Sequence, residues 1–296
     1  MRTMRVSQAA LVLISAVLAG LSACVPPLTP TLPVAFSPSP IVTPVSPTSA
    51  PTPLLTPSSI TDCLAIPGQI EADSLSSQYL AGALEFLIYL PPCYDEQISQ
   101  RYSALYLLHG QYYGDDQWVR IGAPAAADRL SAAGEAPPFI IVMPHDPSWK
   151  QPTEYGFAGA LTGELIPYVD AHYRTLADRD HRAIGGLSRG AGWAIHFGLT
   201  RPDLFGALGA HSPVVFWTDS PHLGDWLKAI SPESLPRIYL DIGDNDHELQ
   251  TALELEDILN RQSIPHEWHL FHGYHEEAYW QAHVEEYLRW YAAGWR

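Results

Sequence analysis

Basic side chains are scarce in this sequence. Lys and Arg together number 16 against 32 Asp and Glu in 296 residues, a formal net charge of −16. Without a basic patch to meet phosphates, nucleic acid is excluded as an expected partner. Long apolar runs are also missing at the front of the chain, where Ala9 to Leu21 covers 13 residues, short of the roughly 20 that span a bilayer. Cysteine is limited to Cys24, Cys63 and Cys93, and neither a C-x-x-C nor an H-E-x-x-H pattern occurs. The usual zinc arrangements are therefore absent, and no metal or other cofactor is expected. Charge is lacking altogether between Arg5 and Asp62.

The uncharged front divides into two parts. Arg2 and Arg5, the apolar run and the small residues before Cys24 have the layout of an export signal over residues 1–24. Its end, Leu21-Ser22-Ala23-Cys24, resembles a bacterial lipobox, with Cys24 lipidated; a plain signal peptide cut nearby is the alternative. Residues 25–59 are dominated by Pro, Ser and Thr, a composition that buries no core and reads as an extended tether. Residues 60–296 have a length that suits one α/β domain. The expected location is thus outside the cytoplasm, lipid-anchored to a bacterial membrane. Export permits a Cys63–Cys93 disulfide, with free buried thiols as the alternative.

Chemistry enters at Gly186-Leu187-Ser188-Arg189-Gly190, a G-x-S-x-G pattern. Serine alcohol is a weak nucleophile, and a sharp strand-to-helix turn is one way to lift and activate it. The flanks fit, since His181 to Gly185 reads as a short strand and Gly190 to Thr200 as a helix stopped by Pro202. Downstream, Arg237 to Ile242 is an expected strand followed by the turn Gly243-Asp244-Asn245-Asp246. A helix over Glu248 to Asn260, a strand over His266 to Phe271 and a final helix over Glu276 to Tyr291 follow. Serine, acid and histidine then fall on loops at one sheet edge. Asp241 lies inside its strand and Asp244 has the position of a turn former. Asp246 is left as the favoured partner of a base, and His275, beyond Gly273, is better placed than His272. His266, His269, His272 and His275 recur every three residues, but on a strand that spacing alternates faces and does not gather ligands.

Ser103 to Leu108 is an apolar strand running into His109-Gly110-Gln111. A loop of this kind supplies one backbone N–H to an oxyanion, and the residue after the nucleophile supplies the other, here Gln111 and Arg189. His109 precedes the serine and is read as structural. Further strands are expected at Leu84 to Leu90, Phe139 to Met143 and Phe205 to His211, alternating with helices, which implies a mostly parallel sheet covered on both faces. The segment between Ser212 and Arg237, with a short helix near His222 to Ile230, is too small for a large cap domain. Specificity would then come from the loops Gln111 to Ile121, His145 to Phe157 and Ser212 to Asp225. Among four candidate tryptophans, Trp118, Trp149, Trp217 and Trp280, only Trp149 and Trp217 sit in segments that look loop-like on both sides.

Leu107-Leu108-His109-Gly110, Trp118, Glu164-Leu165-Ile166-Pro167-Tyr168, the serine motif and Gly273-Tyr274-His275 occur in an order that resembles one group of α/β-hydrolases. That esterase family includes the esterase D type, feruloyl esterases, enterochelin esterases and the mycolyltransferases of the antigen 85 type. The resemblance covers roughly residues 80 to 293 and departs at Ala191, where many relatives carry a second glycine. It implies an α/β-hydrolase fold, a Ser188, His275 and Asp246 triad, and hydrolysis of a carboxylic ester through an acyl-enzyme. The substrate would be a small-molecule or carbohydrate-linked ester. An acyltransferase of the same family with an alcohol or sugar acceptor is the alternative enzyme; a non-catalytic surface binding lipoprotein is the alternative from another class.

Overall fold

The computed structural model describes residue 63 and residues 66–295. The expected signal (1–24), the tether (25–59) and the lipidation position Cys24 lie outside the described residues.

Eight strands form one sheet: β1 (Gln69–Ser76), β2 (Ala83–Leu90), β3 (Ser103–Leu108), β4 (Phe139–Pro144), β5 (Arg182–Leu187), β6 (Ala207–His211), β7 (Arg237–Gly243) and β8 (Glu267–Phe271). Their spatial order is β1-β2-β4-β3-β5-β6-β7-β8. Only the pairings of β2, with β1 and with β4, are antiparallel; every other neighbouring pair is parallel. This is the α/β-hydrolase fold that the sequence implied. Every residue of β3, β4 and β5 is buried, as expected for parallel strands covered on both faces, whose sequences run nearly continuously apolar.

The helices that flank the sheet include α1 (Gln117–Arg120), α2 (Ala123–Ala132), α3 (Ile166–His172), α4 (Arg189–Thr200), α5 (Leu223–Ala229), α6 (Leu249–Arg261) and α7 (Glu277–Ala293). Side chains alternate across the sheet and build two cores. Ala104, Tyr106 and Leu108 of β3 join Leu165, Ile166, Trp193, Phe197 and Leu255 on one face. Leu105 and Leu107 join Trp118, Leu130, Tyr287 and Tyr291 on the other. The second core requires close approach of α7 to the sheet. Gly185 and Gly209 are paired neighbours on β5 and β6. A Cβ on either would fall within 1.9 Å of the Tyr291 hydroxyl, so only glycine admits that ring.

The chain forms β3, returns to one side of it for β4, and then crosses to the other side for β5. In open α/β sheets ligands bind at such a reversal, outside the carboxyl ends of the strands. The loop after β3 and the turn after β5 therefore lie side by side, with Leu108 paired to Gly186.

Three elements depart from expectation. β1 was not recognised, because Gln69–Ser76 is a polar edge strand exposed over most of its length. The sequence predicts a loop over His145 to Phe157 ahead of α3 and no element between them. A helical turn at Phe157–Gly159 in fact continues through a π-helical stretch, Ala160–Leu165, into α3. Gly156, Gly159, Gly163 and Pro167 obscure the helical period there. The strand expected to end at Gly185 runs on to Leu187, so the turn is made at Ser188 itself.

Cys63 and Cys93 are joined in a disulfide. It encloses both β1 and β2. The closed loop has a sequence separation of 30, which in the chain-entropy treatment stabilises the fold by about 3–4 kcal/mol. A Cys63→Ser, Cys93→Ser double variant is expected to lose stability of that order in urea unfolding, with the β1–β2 edge exchanging amide hydrogens fastest.

Candidate active site

The strand β5 delivers Ser188 into a backbone conformation of φ 53°, ψ −121°, which non-glycine residues rarely adopt. Two glycines permit the turn. A Cβ on Gly186 would lie 2.2 Å from the Gly190 backbone, and one on Gly190 would lie 2.1 Å from the Leu108 carbonyl oxygen. The Ser188 N–H donates to the His211 carbonyl at 2.9 Å, which pins the turn to the end of β6.

The other two groups arrive from the next strand ends. His275, on the loop after β8, places Nε2 2.8 Å from Ser188 Oγ and Nδ1 2.9 Å from each Asp246 carboxylate oxygen. Nδ1–H donates to the carboxylate, leaving Nε2 to accept the serine proton. Asp246 sits on the turn after β7, and its carboxylate also accepts from the Glu248 N–H at 2.8 Å. Burial alone would raise its pKa. The hydrogen bonds from His275, the Glu248 amide and Ser212 outweigh that and hold it below the ordinary value of 3.8.

Neighbouring acids have other work. Asp241 is fully buried. It bonds His211 Nδ1 at 2.6 Å and accepts from the Tyr279 and Tyr287 hydroxyls at 2.7 Å each. Burial first, and then the Asp241 carboxylate, push both phenol pKa values far up, so these hydroxyls remain donors. Asp244 instead pairs with the exposed His272 and caps the Gly273 N–H.

His109 Nε2 accepts from the Asp146 N–H at 2.9 Å, so its proton is on Nδ1, which donates to the Gly110 carbonyl at 2.7 Å. Burial lowers its pKa below 6.5, keeping it neutral. A trans peptide points its N–H opposite to its C=O, so this bond turns the Gln111 N–H away from His109. Gln117 Oε1 holds the Gly110 N–H at 2.8 Å. A Cβ on Gly110 would lie 3.7 Å from Ser188 Cβ. The Arg189 side chain turns away from the serine and is buried against Asp146, with its guanidinium also donating to the Lys150 carbonyl.

A cavity of about 400 Å³ opens over these groups, lined by Gly110, Gln111, Tyr112, Tyr113, Leu187, Ser188, Arg189, Val214, His247, Glu248, His275 and Trp280. Five sequence-predicted residues meet here or beside it: Ser188, His275, Gln111 and Arg189 on the wall, Asp246 behind it. Trp149 is exposed and meets the rim through an edge contact to Tyr112, ring centroids 5.0 Å apart. Trp217 is exposed and does not line the cavity. Trp280 does, lying 5.1 Å edge-on to the His275 ring with its Nε1–H on Ser212 Oγ. Trp118 is buried, its Nε1–H on the Leu108 carbonyl.

Sequence patterning does not single out His247, whereas Tyr112 and Tyr113 fall in the expected specificity loop Gln111 to Ile121 and Ser212 opens that of Ser212 to Asp225. Ser212 has a faint signal, since it ends β6 as Ser188 ends β5, also at positive φ (47°), with its N–H on the Asp241 carbonyl. The histidines at steps of three disperse as expected, His266 to the Ile264 carbonyl, His269 against Tyr239 and His272 to Asp244. Among the described residues one trio of metal-capable side chains does converge, Asp246, His247 and His275.

The family described as “Putative esterase” matches residues 77–291. An endo-1,4-beta-xylanase/feruloyl esterase of Xylanibacter ruminicola is 31% identical over 171 residues, covering 54% of this chain and 22% of that protein. The chain thus spans less than a quarter of that relative's length. A solved ferulic acid esterase superposes with a TM-score of 0.70 at 24% identity, covering 78% of this chain and 99% of that one. An S-formylglutathione hydrolase from Staphylococcus aureus superposes with a TM-score of 0.61 at 20% identity, over 76% and 99%. At those identities the superpositions speak for the fold.

The three acids separate by role. Asp241→Ala strands two tyrosine hydroxyls and a histidine in the core, at about 1–3 kcal/mol each, and is expected to destabilise the protein by several kcal/mol in urea unfolding. Asp244→Ala, at the surface, is expected to stay within about 0.5 kcal/mol of wild type.

Proposed function

Because the chain belongs to the “Putative esterase” family of α/β-hydrolases, we propose that it is a serine esterase that cleaves carboxylic esters through an acyl-enzyme. The observation that carries this reading is the unbroken hydrogen-bonded chain Asp246–His275–Ser188 at the wall of the cavity. Ser188 Oγ attacks the ester carbonyl carbon while His275 Nε2 takes the hydroxyl proton. Negative charge gathers on the former carbonyl oxygen, where the Gln111 and Arg189 backbone N–H groups receive it; one such donor is worth about 2.7–4 kcal/mol. The tetrahedral intermediate collapses, the C–O bond to the alcohol breaks, and His275 returns its proton to the leaving oxygen. Water, deprotonated by His275, then attacks the acyl-serine, and the carboxylic acid leaves as Ser188 recovers its proton. Asp246 stays ionised and holds the imidazole in one tautomer throughout.

An ester with an aromatic acyl group is the favoured substrate. Tyr112 and Tyr113 on the wall and Trp149 at the rim supply flat apolar faces, and the Xylanibacter relative carries a feruloyl esterase name. We place the enzyme outside the cytoplasm, held to a membrane by lipid on Cys24. The Cys63–Cys93 disulfide supports an oxidising compartment.

Fluorophosphonate labelling of the wild type beside Ser188→Ala tests the reading. Wild type alone is expected to label; equal labelling of both, or of neither, overturns it. Asp246→Asn is expected to lower kcat on methyl ferulate by about 10⁴ while the protein remains folded by circular dichroism.

A further inference from the structure

His247 adjoins the acid of the proposed triad and has no assigned task. Its side chain is 70% exposed, and its nearest ionic neighbour, a Glu248 carboxylate oxygen, is 3.9 Å from Nε2, beyond hydrogen-bond reach. The ring lies 4.4 Å from that of His275, centroid to centroid. Both histidines face the cavity that holds Ser188. One ligand atom each from Asp246, His247 and His275 fall within 4.8 Å of one another.

We propose that His247 and His275 form an inhibitory site for a borderline divalent transition ion of the Zn²⁺ class. The inhibition rests on the reading of His275 as the base. Two imidazole nitrogens on a tetrahedral zinc, at 2.0–2.1 Å each, stand roughly 3.4 Å apart. The exposed His247 reaches that separation by side-chain rotation, whereas His275 is held in place. Asp246 is not a ligand, because its buried carboxylate is occupied by His275 Nδ1–H and the Glu248 amide. It is the outer brace. Metal-bound histidines characteristically donate their second ring N–H to a carboxylate, which fixes the tautomer and strengthens the donor nitrogen. The Asp246–His275 pair that prepares Nε2 to take a proton from serine thereby prepares it equally to bind a metal. Glu248, on the same wall, adds negative charge beside His247. Imidazole donors select Zn²⁺, Cu²⁺ or Ni²⁺, whereas Mg²⁺ and Ca²⁺ require oxygen ligands. With its lone pair on the metal, Nε2 cannot accept the Ser188 proton, and attack on the ester stops until the ion leaves.

The test is ester hydrolysis against rising Zn²⁺, each protein normalised to its own metal-free rate. Wild type is expected to lose activity about tenfold or more, to recover with EDTA and to ignore Mg²⁺. His247→Ala is expected to raise the half-inhibiting Zn²⁺ concentration about tenfold or more, whereas His272→Ala, whose ring pairs with Asp244 and does not line the cavity, leaves it unchanged. A wild-type zinc response in His247→Ala, or its loss in His272→Ala, overturns the site. Calorimetric titration of Zn²⁺ into Ser188→Ala reads binding without turnover. Binding there that disappears in Ser188→Ala, His247→Ala supports the site even if fluorophosphonate labelling has failed. Binding that persists overturns the site even if labelling has succeeded.

Discussion

Everything at this site hangs on the turn at Ser188. A residue with a side chain is held at positive φ where the strand stops and the helix α4 starts, and such a conformation survives only where its surroundings leave no alternative. Here the backbone of Gly190 is packed under Gly186, the Leu108 carbonyl presses on Gly190, and the Ser188 N–H is taken by the His211 carbonyl. The result is a hydroxyl at the carboxyl end of the sheet, within reach of loops from β3, β7 and β8. Ser212 repeats the device one strand over, its N–H on the Asp241 carbonyl, and through its side chain it supports Asp246.

Behind that edge lies a buried polar cluster. His211 and Asp241, both without solvent exposure, bond one another and the hydroxyls of Tyr279, Tyr287 and Tyr291 on α7. Buried groups of this kind cost stability if unpaired and confer a unique geometry when paired. Tying α7 to β6 and β7 sets the position of Trp280 on the same helix, whose ring abuts His275 and whose N–H reaches Ser212. The proposed base is thus oriented by its carboxylate partner and walled by an aromatic whose own position is fixed from the core.

A second brace joins the loops on the other side. The Arg189 guanidinium, Trp193 Nε1 and the Asp146 carboxylate meet beneath the cavity, the Asp146 N–H meets His109, and His109 holds the Gly110 carbonyl. One chain of bonds therefore links the serine turn, the loop after β4 and the loop carrying Gln111. The loop after β4, which also carries Trp149, is held a second time through Arg189 and the Lys150 carbonyl.

Local chemistry was legible in the sequence wherever a pattern is dictated by neighbours along the chain. The glycines around Ser188, the apolar strands β3 to β7 and the turn before Asp246 are each a contiguous pattern with one physical reading, and the fold and the three groups of the proposed triad follow from their order. β1 was illegible because a polar edge strand has no hydrophobic period, and the helix into α3 because glycines and a proline interrupt its period. What joins residues far apart was decided only in three dimensions. Asp244 and Asp246 differ by two positions in the sequence, yet one meets a surface histidine and the other the buried side of His275. That His247 stands beside His275, 28 positions later, follows from the adjacency of β7 and β8. Pattern along a chain reports what each segment must bury; which segments then face each other is set by the packing of the whole sheet.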